Sequence, residues 1–211
     1  MTRPRLRNSW STPELNTDSL PSAHVRLDLT AFADNVGVTS PDRLSEGAFN
    51  IWGNTFPADE LPKGGPVDIH GIPFRFPAVG TGQPDNVRCA GQFIDVPVGR
   101  YDWIHVLAAA ERRTEDFVRL HYTDGAVDPE WLRVSDFWPE TASRFGESAA
   151  VSCTRLHYPR HIQRSMGPTL WRQRVAVPRE QDLSAIRLPD NPAIHIFAMT
   201  LAPATQPETT Q

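Results

Sequence analysis

The sequence predicts an all-β sandwich, and three observations carry the prediction. Nearly every readable segment alternates apolar and polar residues with a period of two, Gly- and Pro-rich turn chemistry separates the segments, and no convincing amphipathic helix interrupts them. About ten short strands of this kind are buried most simply as two packed sheets, with a jelly-roll topology the expected form.

The strands are expected, in order, at HVRLDL (24–29), IPFRF (72–76), QFIDVP (92–97), YDWIHVL (101–107), DFVRLHY (116–122), WLRVSDF (131–137), AVSCTRLHY (150–158), WRQRVAV (171–177), LSAIRL (183–188) and AIHIFAMTL (193–201). KGGP, GTGQPDN, PVGR, TDG, PRE and LPDNP between them are turns. The Asp-Gly of YTDGAVDPEW is read as a hairpin signal before any chemistry is read into Asp124 or Asp128. AAAERRTEDF is read as a loop or a single turn.

The 211 residues suffice for one domain with a substantial core. Residues 24–202 form that domain, with 1–23 expected as a disordered leader and 203–211 as a flexible tail. A net charge of −4 argues against a nucleic-acid or anionic-membrane partner. The leader lacks the apolar run of a secretory signal, and no stretch has the length of a membrane span, so a cytoplasmic protein is expected. Cys89 and Cys153 are read as buried free thiols rather than a disulfide.

One stretch stands apart. TRLHYPRHIQRSMGPTLWRQRVAVPR (154–179) holds Arg155, Arg160, Arg164, Arg172, Arg174 and Arg179 and no carboxylate. Arginine rather than lysine points to planar, bidentate recognition of an anionic group, not to a non-specific nucleic-acid arm. Strand sidedness suggests where such a group would sit. If their strands are neighbours, Trp103, His105, Arg119, His121, Arg155 and His157 make one polar platform. Trp103 or Trp52 would stack on a sugar, with Asp136 beside Trp138 orienting an Arg or His. If the protein is an enzyme, His121 or His157 is the base and Arg155 stabilises developing negative charge. Imidazoles at 105, 121 and 157 are also a conceivable transition-metal set, but they lack a close His-x-His pair and lie beside Arg.

The succession VRLDLTAFADNVGVTS, EGAFNIWGNTFPADELP, GIPFRFP, PDNVRCAGQFIDVP, HYTDGA, SDFW and a closing RLPDNPAIHIFAMTL resembles a galactose-binding-like β-sandwich module of the kind appended to bacterial glycoside hydrolases. The resemblance covers about residues 25–202. It implies a jelly-roll fold and carbohydrate binding. Such sandwiches often pin their terminal strands with a structural calcium ion, for which Asp28, Asp34 and Asn35 offer oxygens; turn capping by the same residues is an equal alternative.

The resulting expectation is a small-molecule or glycan ligand, sugar-like and anionic, held by Trp52, Trp103, His105, Arg119, His121, Asp136, Trp138, Arg155 and His157. No cofactor is required, and the structural calcium is an optional addition. A small lyase, cyclase or hydrolase using the same face is the alternative, and an assembly subunit, for example a homodimer, is the third.

Overall fold

Alternation becomes strand almost wherever the sequence showed it. The computed structural model describes residues 23–138 and 141–205. The leader and tail lie almost wholly outside the described residues. Among the described residues sixteen strands run in order: β1 (Val25–Arg26), β2 (Val38–Thr39), β3 (Phe56–Pro57), β4 (Gly65–Ile69), β5 (Ile72–Phe76), β6 (Val87–Arg88), β7 (Phe93–Gly99) and β8 (Tyr101–Ala110). The second half comprises β9 (Thr114–Tyr122), β10 (Val127–Val134), β11 (Ser148–Ser152), β12 (Arg155–Tyr158), β13 (His161–Arg164), β14 (Thr169–Ala176), β15 (Leu183–Arg187) and β16 (Ile194–Pro203). Helix is limited, among the described residues, to 3-10 turns at Leu44–Glu46 and Ala58–Glu60.

Two sheets make the sandwich. One has six strands in the order β1-β16-β8-β14-β11, with β6 also paired to β16; the other is β10-β9-β15-β7. Ile104, Val106, Val175 and Met199 of the first meet Val118, Leu120, Leu132 and Ile186 of the second in the main core. The burial of these side chains is the dominant favourable term in folding.

A third layer covers the far side of the six-stranded sheet, which the two-layer expectation did not include. The β4–β5 hairpin, the parallel β2–β3 pair and the β12–β13 hairpin supply Val38, Phe56, Phe74, Phe76 and Leu156, which pack on Leu107, Ala109, Leu170 and Phe197. Strands β8 and β16 are therefore buried on both faces, which is why they carry near-continuous apolar runs, VLAAA and IFAMTLA.

Local irregularities explain the departures from strict alternation. A register shift between Ala202 and Pro203 places Tyr101 opposite Pro203 and Trp103 opposite Ala202, so Tyr101 joins the core with Ile104 instead of the Trp103 face. Its hydroxyl donates to the Pro97 carbonyl at 2.7 Å. The single strand expected over 150–158 breaks at Cys153–Thr154 into β11 and β12, which belong to different sheets. AAAERRTEDF is a strand end, a tight bend over residues 111–113 and a strand start. Cys89 and Cys153 are buried free thiols, and burial pushes the Cys153 thiol up to about 12. None of the helices among the described residues is long and apolar enough to cross a membrane.

Candidate functional site

The polar platform expected from the strand faces does not form. Strands β8 and β9 follow each other in the chain but belong to opposite sheets, and β12 lies in the third layer, so the six residues are split among three surfaces. Chain order gave their sidedness and not their sheet.

Trp103 and His105 remain together on the outer face of the six-stranded sheet, and part of the arginine-rich run joins them. The Arg174 guanidinium lies 4.2 Å from the centre of the Trp103 ring, and Arg172 and Arg174 line a depression with His105. Arg119 and His121 instead face outward from the four-stranded sheet, where His121 meets the edge of Phe93 at 4.8 Å. Arg155 is clamped by carboxylates from the third layer, donating to Glu60 Oε1 and Asp59 Oδ2 at 2.6 Å each. His157 is fully buried, with Nδ1 3.0 Å from the Thr39 hydroxyl. Arg155 and His157 are thus engaged within the third layer, in a different sheet from His121. Arg179 of the run is likewise paired, donating to Asp128 Oδ1 at 2.9 Å.

The calcium expectation meets residues that are already engaged. Asp28 accepts the Thr30 hydroxyl at 2.6 Å and pairs with Arg75, Asp34 accepts the Arg88 amide at 2.8 Å, and Asn35 accepts the Asn86 side-chain amide at 3.0 Å. These are turn and strand-edge caps. No group of three or more His, Cys, Asp or Glu among the described residues is arranged to hold a metal ion.

Titration at His105 follows from its surroundings. Burial, assisted by Arg172, His24 and Arg174, pushes its imidazole down to about 4. In the unfolded chain it titrates near the ordinary value of about 6.5. Its stabilising contribution is thus complete above that value and is lost as pH falls from there to about 4. Because Asp85, His157 and His195 also titrate abnormally, the expectation is a difference: across this window wild type should lose about 3 kcal/mol more stability to urea than His105→Gln does. An equal loss in the variant would exclude His105 as its source.

Three of the expected ligand residues do converge, at one end of the sandwich. Trp52, Asp136 and Trp138 line a cavity of about 570 Å³ together with Asn50, Asn54, Glu111, Arg112, Phe137 and Tyr158. That volume suits a small-molecule ligand. Side-chain amides build the turn that carries Trp52. Asn50 Oδ1 accepts the backbone amides of Trp52 and Asn54, both at 3.1 Å, and Asn50 Nδ2 donates to Asn54 Oδ1 at 3.0 Å. Gly53 closes the turn with a φ of +70°, and Trp52 is left 55% exposed at its tip. Because Asn54 spends its oxygen on Asn50, its Nδ2 turns away and is buried without a partner.

The opposite wall grows from the ends of strands. The Phe137 amide donates to the Ala110 carbonyl at 3.0 Å and the Trp171 indole donates to the Asp136 carbonyl at 2.9 Å, which fixes the backbone of SDFW. Asp136 Oδ1 accepts the Trp138 amide at 2.9 Å. Burial raises the Asp136 carboxyl above the usual carboxylate range, with the Trp138 amide and Arg112 opposing. At the rim the Arg112 guanidinium lies 5.9 Å from the centre of the Trp52 ring. The cavity therefore offers four aromatic side chains, two carboxylates, one guanidinium and one unused amide donor.

A family model, described as the AziU2-like beta-sandwich domain, matches residues 22–205. The chain belongs to the AziU2-like beta-sandwich domain family. No significant match to a curated protein is found. The match covers all three layers of this AziU2-like domain, including both walls of the aromatic cavity, and supports the β-sandwich module that the landmark motifs implied.

Sequence reading missed Asn50, Asn54, Glu111, Arg112 and Tyr158 as lining residues, because each lies in a loop or at a strand end that alternation does not describe. A signal was available for two of them. Asn at both ends of NIWGN is Asx-turn chemistry, and such a turn presents the aromatic residue it encloses.

Proposed function

We propose that this AziU2-like domain binds a small, polar, sugar-like ligand in the cavity between Trp52, Trp138 and Tyr158. The observation that carries the reading is the unpartnered Asn54 amide, buried in a cavity whose other walls are aromatic rings and carboxylates. A ring with an apolar face packs on the indoles. Its hydroxyl or carbonyl oxygen accepts from Asn54, and its donors reach Asp136 and Glu111. With two carboxylates to one guanidinium, the cavity favours a neutral or cationic ligand over the anionic one that the arginine-rich run suggested.

Tryptophan fluorescence tests this, since Trp52 and Trp138 both line the cavity. In a panel of methyl glycosides and amino sugars at least one compound is expected to change the emission saturably. Trp52→Ala and Asn54→Ala should each weaken its binding about tenfold or more, the loss of roughly 1.4 kcal/mol. Saturable binding that both variants leave intact would place the ligand elsewhere, and no response across the panel would argue against sugar binding altogether.

The outer face of the four-stranded sheet favours a second reading, assembly. Phe93, Val127 and Trp131 are exposed there, Phe117 packs on Trp131 at 3.9 Å between ring centres, and Arg119 pairs across strands with Arg187. An aromatic and arginine-bearing surface fits a protein partner that presents apolar groups and carboxylates. Light scattering decides whether that partner is a second copy: a dimer that Trp131→Glu dissociates supports it, and a concentration-independent monomer rules it out.

A further inference from the structure

Behind the aromatic cavity lies a histidine whose tautomer is set by its neighbours. His195 interrupts the apolar run of β16 and is fully buried, with its ring 4.1 Å from that of Phe49. Its Nδ1 is 2.8 Å from Asn86 Oδ1. The orientation of the Asn86 amide is not free. Its Nδ2 donates to Asp85 Oδ1 at 2.8 Å and to Asn35 Oδ1 at 3.0 Å, and a flipped amide would set its oxygen against both of those acceptors. Asn86 Oδ1 therefore faces His195, and Nδ1 must carry the hydrogen. That leaves the other ring nitrogen, Nε2, as a lone pair.

Nε2 is buried, has no hydrogen-bond partner and points at Glu111 Oε1, 3.5 Å away. The Glu111 side chain keeps 19% exposure, so the unmet group is the buried Nε2 lone pair, and a single proton placed between the two atoms satisfies it. Glu111 is the only member of this pair that reaches the cavity wall. The other charged groups acting on the imidazole are Arg88 and Asp34, which oppose each other, and burial holds the ring below its ordinary value.

We propose that Glu111 and His195 hold one proton between them and exchange it with the ligand group that faces Glu111, so that the aromatic cavity is an acid–base site. As an acid, the pair breaks the O–H bond at Glu111 and forms a bond from that hydrogen to a ligand lone pair. The carboxylate and a neutral imidazole remain, and the charge of the pair changes from zero to minus one. The reverse step takes a proton from a ligand N–H or O–H and leaves the electron pair on the ligand. Asn86 is the positioning residue, since it holds the imidazole in the only tautomer that presents a lone pair to Glu111. The exchange half of this inference rests on the ligand reading above, whereas the shared proton does not.

Nitrogen-15 NMR of the histidine rings in the full chain tests the shared proton without any ligand. Nδ1 of His195 is expected to stay protonated from pH 5 to 8, and Nε2 to shift with pH. In Glu111→Gln the amide donates to Nε2 and that shift should disappear; in Glu111→Asp, which withdraws the carboxylate by one methylene, it should move. An Nε2–H tautomer, or the same Nε2 behaviour in wild type and both variants, overturns the proposal. The exchange is read by calorimetry with D-glucosamine in two buffers of different ionisation heat. A buffer-dependent binding heat that Glu111→Gln abolishes supports it, and a buffer-independent heat overturns it. Absence of glucosamine binding overturns the exchange and counts against the ligand reading, while the nitrogen shifts still decide whether the proton is shared.

Discussion

Phe49→Ala is expected to cost about 3–5 kcal/mol, the range found when a buried phenylalanine is truncated, and to lower the thermal midpoint by on the order of 10 °C. The magnitude follows from where the ring sits. Phe49 is 1% exposed and lies against Phe56 edge-on at 5.4 Å, Phe137 at 4.6 Å and the His195 ring at 4.1 Å. Those contacts join the third layer, the root of the SDFW wall and the central sheet. None of the neighbours is a flexible surface chain that could collapse into the void, so the cavity contribution to the cost persists. The same residue anchors the Trp52 turn, because its amide donates to the Asn54 carbonyl at 2.8 Å. The backbone bond survives the substitution, so the turn should keep its shape while the floor beneath it loosens. Chemical unfolding followed by far-ultraviolet circular dichroism would measure the loss. A midpoint within about 2 °C of wild type would mean that the third layer unfolds separately from the sandwich.

Gly167→Ala is expected to be more severe still, above about 4 kcal/mol. A Cβ at this position would stand 1.8 Å from the Cys153 carbonyl oxygen and 2.6 Å from the Thr154 nitrogen. Both obstacles are backbone, so no rotamer change can relieve the overlap. The two segments must separate, which threatens the bond from the Cys153 amide to the Pro168 carbonyl at 3.0 Å. That bond lies where the chain leaves the six-stranded sheet at the end of β11 to enter β12. We expect little soluble protein at 37 °C, and urea midpoints at 10 °C would show whether the fold persists in the cold. A variant that expresses and melts like wild type would show that the two segments separate at little cost.

The contrast between strands and site shows which physics a single sequence carries. Period-two alternation is local, and the Asp-Gly hairpin is local too: Gly125 takes a φ of +86° between β9 and β10, as that signal implies. Sheet partnership is not local. Nothing in YDWIHVL and DFVRLHY says that the first strand lies beside β14 and β16 while the second crosses to β10 and β15. The histidines and arginines were therefore given correct faces on mistaken neighbours. Trp52, Asp136 and Trp138 emerged as candidates because an exposed-looking aromatic beside a turn, or an acid at a strand end, has no ready structural use. Their partner Glu111 had no such mark, being the first of three consecutive charges in ERRTE.

The turn at residues 50–54 closes upon itself through four hydrogen bonds among its own members. Its geometry is consequently independent of which side chain occupies position 51 or 52. A lineage could exchange the indole for another group, and so respecify what the rim admits, without disturbing a single ladder of the sheets below. On the proposed binding reading, such exchanges would change selectivity while the frame stays the same.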